Sequence, residues 1–317
     1  MELVVIHNKN RKIAVVGVGA VGASTAFALA VSGLPTELVL VDVNKSKAEG
    51  EAMDLAHAAA FIKPIQIYAG TFEDCRDAGI IIYTAGASQK PGETRLDLLQ
   101  KNYSILKDNL NQLSLTGQNI LIIVSNPLDV LTYAALKVTG LPPERIFGSG
   151  TVLDSSRFRH ILSEHCGVAP RNVHATVVGE HGDSEVMLWS LADIAGSHID
   201  HFCELVGAPP INREEVDKQV RNAGYEIISR KGATYYAVSL AVKRICESII
   251  RDENTILSVA GLVDGPYGIQ DCCLSLPSVI NSGGRGYPLE LPLAAQEEDA
   301  LRHSAEVLKE AIACLKL

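Results

Sequence analysis

The sequence predicts an α/β protein in which a doubly wound parallel sheet is followed by a mixed α+β domain. Three observations carry that expectation. Short, continuously apolar strand patterns alternate with helical patterns through the first half, as they do where helices cover both faces of a parallel sheet. A glycine-rich turn joins the first strand pattern to the first helix pattern. After about Gly150 the rhythm changes to longer helix patterns interspersed with strands.

Taken in order, residues 12–16 (KIAVV) read as a strand, and the glycine run at 17–22 follows without a gap. An Ala-rich helical pattern covers 23–31, and a second strand pattern at 37–41 ends on Asp42. A helix near 45–60 and strands at 65–69, 80–84 and 120–124 continue the alternation. Between them, SQKPGETR at 88–95 holds a Pro91-Gly92 turn signal. Thr94 to Asp97 then fits a capping box, in which a hydroxyl and a carboxylate satisfy the free N–H groups that open a helix. In VSNPLDV (124–130) the strand ends at Asn126, and Pro127 begins a helix.

The second half shows helix patterns at 152–165, 213–230 and 233–251, with strand patterns at 172–178, 255–262 and 270–274. A last helix at 297–314 repeats Leu301, Ala305, Leu308, Ile312 and Leu315 at three- to four-residue spacing. The expected domains are therefore 1–150 and 151–317. No flexible linker separates them, so a wide interface and a shared cleft are expected.

With 317 residues, 47% of them apolar and 21% charged, the composition is that of a soluble globular protein with a sizeable core. A net charge of -9 disfavours attraction to nucleic acid or to an anionic membrane, while leaving room for a local basic pocket. No apolar stretch is long enough to span a bilayer, and the polar HNKNRK at 7–12 is not followed by a signal-type run. A cytoplasmic location is expected. The seven cysteines are scattered, include the adjacent Cys272 and Cys273, and never form C-x-x-C, which fits reduced thiols. His198 and His201 lack further clustered ligands, so no metal site is expected.

GVGAVG at 17–22 is a weak signal alone, but it follows a strand, opens a helix and precedes an acid, Asp42, twenty positions after Gly22. That context is the dinucleotide (Rossmann) fingerprint. Gly17 permits the tight turn, Gly19 lets backbone approach a pyrophosphate, and Gly22 lets helix and strand pack closely, while the helix N-terminus favours phosphate charge. Asp42 would accept hydrogen bonds from the adenosine ribose. A carboxylate there repels a ribose phosphate, so NAD is expected rather than NADP.

Three further stretches carry chemistry. VVGEHGDSE (177–185) sets His181 between glycines and acids straight after a strand, where a ligand can reach it. GSGTVLDSSRFRH (148–160) spaces Asp154 and Arg157 three apart on one helical face. They read either as a surface ion pair or as a carboxylate that orients a histidine beside a guanidinium that grips an anion. Asn126 stands at the carboxyl end of a strand, where ligands sit in open α/β sheets.

From about Arg11 to the C-terminus, the chain resembles the L-lactate/malate dehydrogenase family, and within it the bacterial lactate-specific members. The motifs GVGAVG, QKPGETR, SNP, LDSSRFR, GEHGDSE and KGATYYA occur in family order and at family-like separations. The resemblance implies NAD-dependent interconversion of pyruvate and (S)-lactate. His181 would protonate the keto oxygen as hydride reaches the carbon, and Asp154 would orient the imidazole and stabilise its cation. Arg157 would pair bidentately with the substrate carboxylate. Arg95 would arrive with a closing loop and polarise the carbonyl. Asn126 would contact substrate and nicotinamide, and Thr234 would lie beside the substrate's variable end. Val21, Tyr68, Gly86, Ala87, Val124 and Ser149 would line the NAD cleft.

Gln89 stands where the malate-specific members carry arginine. It cannot neutralise a second carboxylate, which implies a preference for pyruvate over oxaloacetate. Arg159 and His174 match two positions that bind fructose bisphosphate across a subunit interface in many bacterial members. The resemblance further implies a homotetramer.

Overall fold

The computed structural model describes residues 11–87 and 94–315. The first half runs β1 (Lys12–Val16), α1 (Ala20–Ser32), β2 (Glu37–Val41), α2 (Lys45–His57), β3 (Gln66–Ala69), β4 (Ile80–Tyr83), α3 (Arg95–Gln112), β5 (Ile120–Ile123), α4 (Leu128–Thr139) and β6 (Ile146–Gly148). The six strands are parallel, in the order β6-β5-β4-β1-β2-β3. β1, β4 and β5 are buried at every position, which is why they read as unbroken apolar runs rather than alternating ones. The order reverses between β1 and β4, so a crevice opens beyond their carboxyl ends.

The second half runs α5 (Val152–Cys166), β7 (Val173–His174), β8 (Val177–Val178), β9 (Val186–Met187), β10 (Asp193–Ile194), β11 (Ser197–His198), α6 (Ile199–Val206), α7 (Arg213–Lys231), α8 (Tyr236–Arg251), β12 (Thr255–Val263), β13 (Cys272–Asn281), β14 (Gly284–Pro288) and α9 (Ala295–Ala313). β12 joins β6 antiparallel where Ala260 meets Gly148. The parallel sheet therefore continues through β12, β13 and β14 into one sheet of nine strands. Cores on its two faces are built from β1 to β6 together with α1 and α8 on one side, and α3, α4 and α9 on the other. A third core under α5, α6 and α7 encloses the small sheets.

Three of the expected elements differ in extent or pairing, and β6, β9, β10, β11, α6 and β14 have no counterpart in the sequence expectation. The strand expected at 172–178 is two strands in different sheets. β7 pairs with β10 and β8 with β9, and at the changeover the Ala175 carbonyl accepts Arg159 Nε instead of a strand neighbour. The strand expected to stop at Leu274 runs on to Asn281 through Pro277. Pro277 is tolerated because the ladder to β14 is irregular there, with a register shift between Ser278 and Ile280. The helix expected from Ala233 begins at Tyr236, since Gly232 ends α7 in the left-handed region at φ 84° and Thr234 lies in the turn.

Candidate active site

At the end of β1, the glycine turn is set by contacts that only hydrogen can make. Gly17 has φ 93°, and a Cβ there would lie 2.5 Å from the Ala85 nitrogen. A Cβ on Gly22 would fall 1.9 Å from the Gly17 carbonyl oxygen. At Gly19 nothing lies within 4 Å of that position, so the turn faces open space. Gly19 is also the N-cap of α1, and no side chain caps the helix. The first N–H groups of α1 are thus left for an anion. Asp42, one residue past β2, is oriented by two backbone donors: Val18 N–H at 2.8 Å and Asn44 N–H at 2.9 Å.

The remaining walls of the crevice come from the ends of β4, β5 and β6. Asn102, buried on α3, accepts the Ala87 N–H at 2.7 Å and donates to the carbonyls of Ala87 (3.2 Å) and Asn126 (2.8 Å). One side chain therefore ties the loop after β4 to the strand end that carries Asn126. Val124 N–H donates to Tyr83, and Ser149 N–H to Ile123, which holds these two residues at the strand ends. Val21 lies half-buried in the first turn of α1, and Gly86 is exposed.

Tyr68 does not join this group. Its hydroxyl donates to Glu37 Oε1 at 2.7 Å, beside Lys12, at the amino end of the sheet and away from the glycine turn. The expected place of Tyr68 in the NAD cleft therefore has no contact in support of it among the described residues.

Across the crevice, His181, Asp154 and Arg157 come together. Asp154 opens α5 and is 2% exposed; its Oδ2 lies 2.6 Å from His181 Nδ1, and its Oδ1 accepts Arg157 Nη1 at 2.7 Å. The Asp154–Arg157 contact is therefore not a surface pair. Burial alone would raise the Asp154 carboxyl, but the His181 and Arg157 charges outweigh it and hold it below its ordinary value. Burial also opposes charge on His181, and the adjoining Asp154, with Asp129 and Glu185 behind it, still lifts the imidazole to about 9. His181 Nε2 has no hydrogen bond among the described residues, and the side chain is 23% exposed, so Nε2 is available to a ligand.

The loop that carries His181 is pinned from several elements. Gly179 bridges to Ser275 of β13 through both backbone bonds. Glu180 N–H donates to Ser304 Oγ of α9 at 2.8 Å, and His181 N–H to Asp129 Oδ2 of α4 at 2.8 Å. Tyr225 of α7 donates to Asp183, and Arg221 to the Glu185 carbonyl. Burial, reinforced by the Asp154 charge, pushes the Glu185 carboxyl up to about 8.

Sequence reasoning missed Asn102, Asp129 and Glu185. Only Asp129 leaves a signal, as an acid inside the apolar helical pattern LDVLTYAAL; Asn102 and Glu185 stand in polar stretches and leave none. Thr234 sits half-buried in the turn before α8. The ammonium of Lys231 lies 3.5 Å from the ring centroid of Tyr235 and 4.1 Å from that of Tyr236, which fastens the turn. Gln89 lies outside the described residues. Arg95 opens α3 behind the Thr94–Asp97 capping box, and its side chain lies outside them too. Arg159 and His174 are exposed and adjacent, because Arg159 Nε donates to the carbonyl beside His174.

Among the described residues, His198 and His201 make only local contacts. His198 bonds the Trp189 carbonyl and accepts the Asp200 N–H, while His201 pairs with Glu204. No group of three or more potential metal ligands occurs among the described residues.

Comparison with known proteins gives the family. Residues 11–148 match the lactate/malate dehydrogenase NAD binding domain, and residues 151–316 match the lactate/malate dehydrogenase alpha/beta C-terminal domain. The chain belongs to the lactate/malate dehydrogenase family.

It is 50% identical over 304 residues to the L-lactate dehydrogenase of Thermoanaerobacterium saccharolyticum, covering 95% of this chain and 98% of that one. It is 51% identical over 310 residues to that of Moorella thermoacetica, covering 96% and 98%. Among solved structures, a lactate dehydrogenase from a Medee basin deep-sea metagenome library superimposes with a TM-score of 0.94 at 42% identity, covering 97% and 99%. The minor L-lactate dehydrogenase of Enterococcus mundtii does so with a TM-score of 0.93 at 38% identity, over the same shares.

As a family member, the chain is an NAD-dependent oxidoreductase with a Rossmann domain. The open space at Gly19, the uncapped start of α1 and the oriented Asp42 carboxylate fit that cofactor. No helix among the described residues is long and apolar enough to cross a membrane.

Proposed function

We propose that the chain interconverts pyruvate and L-lactate, with His181 as the proton donor and acceptor. The carrying observation is that one buried carboxylate, Asp154, holds both the imidazole and the guanidinium at 2.6 and 2.7 Å. The lactate dehydrogenase names of the relatives support the choice of substrate.

The glycine turn at 17–22 and Asp42 would hold NAD, which would supply or take up the hydride at the substrate's central carbon. Asp154 accepts from Nδ1 of the imidazole, which leaves Nε2 to carry the proton that moves. In reduction, Nε2–H donates to the keto oxygen, and the charge that grows on this oxygen is offset by the cationic ring. In oxidation, neutral Nε2 takes the hydroxyl proton, and Asp154 stabilises the resulting imidazolium. Arg157 turns part of its donor fork to the substrate carboxylate and so fixes the molecule against the cofactor. Asn126 contacts the substrate from the end of β5, Arg95 adds positive charge at the carbonyl, and Thr234 flanks the substrate's far end.

Gln89 then reads that far end and offers no charge to a second carboxylate. Leaving a buried carboxylate unpaired costs about 3 kcal/mol, so pyruvate is expected to exceed oxaloacetate on the order of a hundredfold in kcat/KM. Initial rates of NADH absorbance loss with pyruvate, oxaloacetate and 2-oxo-4-methylpentanoate test this, and a preference for either alternative would overturn it.

The enzyme is further proposed to be a cytoplasmic homotetramer activated by fructose bisphosphate at Arg159 and His174. In support of association, α1 and α8 pack together and expose Phe27, Val31, Tyr236 and Leu240. In support of the effector site, an exposed arginine and histidine lie side by side on α5 and β7, and a pair of such clusters from two subunits suits a bisphosphate.

A further inference from the structure

Asp129 lies in the first turn of α4, three residues after Asn126, and is 2% exposed. An acid at that point suits the helix N-terminus, and an exposed one would do the same at less cost. Its side chain instead leaves the helix and crosses to residue 181, where Oδ2 accepts the backbone N–H at 2.8 Å. Oδ1 is buried without a hydrogen-bond partner among the described residues. A buried carboxylate satisfied on one side only is an expense that α4 does not require for its own stability.

We propose that Asp129 is a positioning residue that locks the His181 backbone to the strand end bearing Asn126. The imidazole is already turned by Asp154 of α5, and the preceding residue is held by Ser304 of α9. Asp129 supplies the tie from the NAD-binding half, so that the proton donor and Asn126 reach the same substrate oxygen from a fixed separation. This inference rests on His181 being the acid of the reaction.

The test compares Asp129→Ala with Asp129→Asn, since asparagine keeps an oxygen facing the His181 N–H. With misplacement of a reacting group as the cause, Asp129→Ala lowers kcat about 100-fold, while KM for pyruvate and Kd for NADH stay within about threefold. Asp129→Asn returns kcat to within about threefold of wild type. Thermal melts of both variants identify any loss of fold, and only the folded fraction enters kcat. An Asp129→Ala enzyme that keeps its kcat, an asparagine variant that fails equally, or a parallel loss of NADH binding would each overturn the proposal. His181→Gln is measured alongside: if it keeps its turnover, the acid role itself falls, whereas an inactive His181→Gln beside a fully active Asp129→Ala removes the positioning role alone.

Discussion

At the scale of single residues, the site depends on how Asp154 divides its two oxygens. One faces His181 and the other Arg157, and neither is shared with solvent, because the carboxylate is 2% exposed. Arg157 can serve the substrate only if its fork has donors to spare after Asp154 takes Nη1. Arg157→Lys keeps the charge and loses the fork, and is expected to raise KM for pyruvate on the order of a hundredfold while changing kcat much less. Steady-state kinetics at saturating NADH check this; an unchanged KM would mean that the carboxylate is held elsewhere. His181, Asp154 and Arg157 were legible in the sequence because glycines flank the first and a three-residue helical spacing joins the others. Asp129 and Asn102 were not, since each acts on a residue far away in the chain, and spacing along a sequence carries no trace of such a contact. The Tyr68 contact was hidden for the same reason: its partner is Glu37, which neighbours it only in the sheet.

At the scale of elements, the parallel strands β1 to β5, the glycine turn and the capping box of α3 were readable, because their signals are local; the three-residue β6 was not. β7 and β8 were not, because a change of sheet partner within seven residues leaves the apolar pattern unbroken. β14 holds a second surprise. Arg285 is 4% exposed, its Nη1 donates to the Leu262 carbonyl, and its Nε and Nη2 are buried without partners among the described residues. Its guanidinium fills the space a side chain at Gly261 would take, and burial pushes its pKa down to about 10. A buried cation with no acid paired to it among the described residues weakens the fold. Arg285→Met fills the same space without charge, and an increase in unfolding free energy of about 1–4 kcal/mol is expected from denaturant melts. A loss of stability would show that the unpartnered donors are satisfied in the native protein.

At the scale of the whole molecule, β12 carries the sheet past residue 150, so the cofactor crevice and the His181 loop are built on one continuous framework. The sequence pointed to a wide interface between its halves; that a strand of the second half would extend the first sheet depended on the single antiparallel contact of Ala260 with Gly148. The proposed regulation belongs to this scale as well, since α5 carries Asp154, Arg157 and, two residues on, Arg159. An effector bound at Arg159 and His174 would act on the helix that holds the Asp154 carboxylate. Millimolar fructose bisphosphate is expected to lower the pyruvate concentration needed for half-saturation, and Arg159→Gln to abolish the response; superimposable curves with and without the sugar would refute the effector site.

The most direct measurement is the pH dependence of kcat/KM for pyruvate in the free enzyme. In the proposed mechanism, reduction requires protonated His181, whose pKa the Asp154 carboxylate raises to about 9 against the cost of burial. Activity is therefore retained through neutral pH and falls as pH rises through the region of 9, while lactate oxidation gains over the same interval. A descending limb centred near the ordinary histidine value of about 6.5, or no limb there at all, would contradict the assignment of His181 and Asp154 as the acid and its partner.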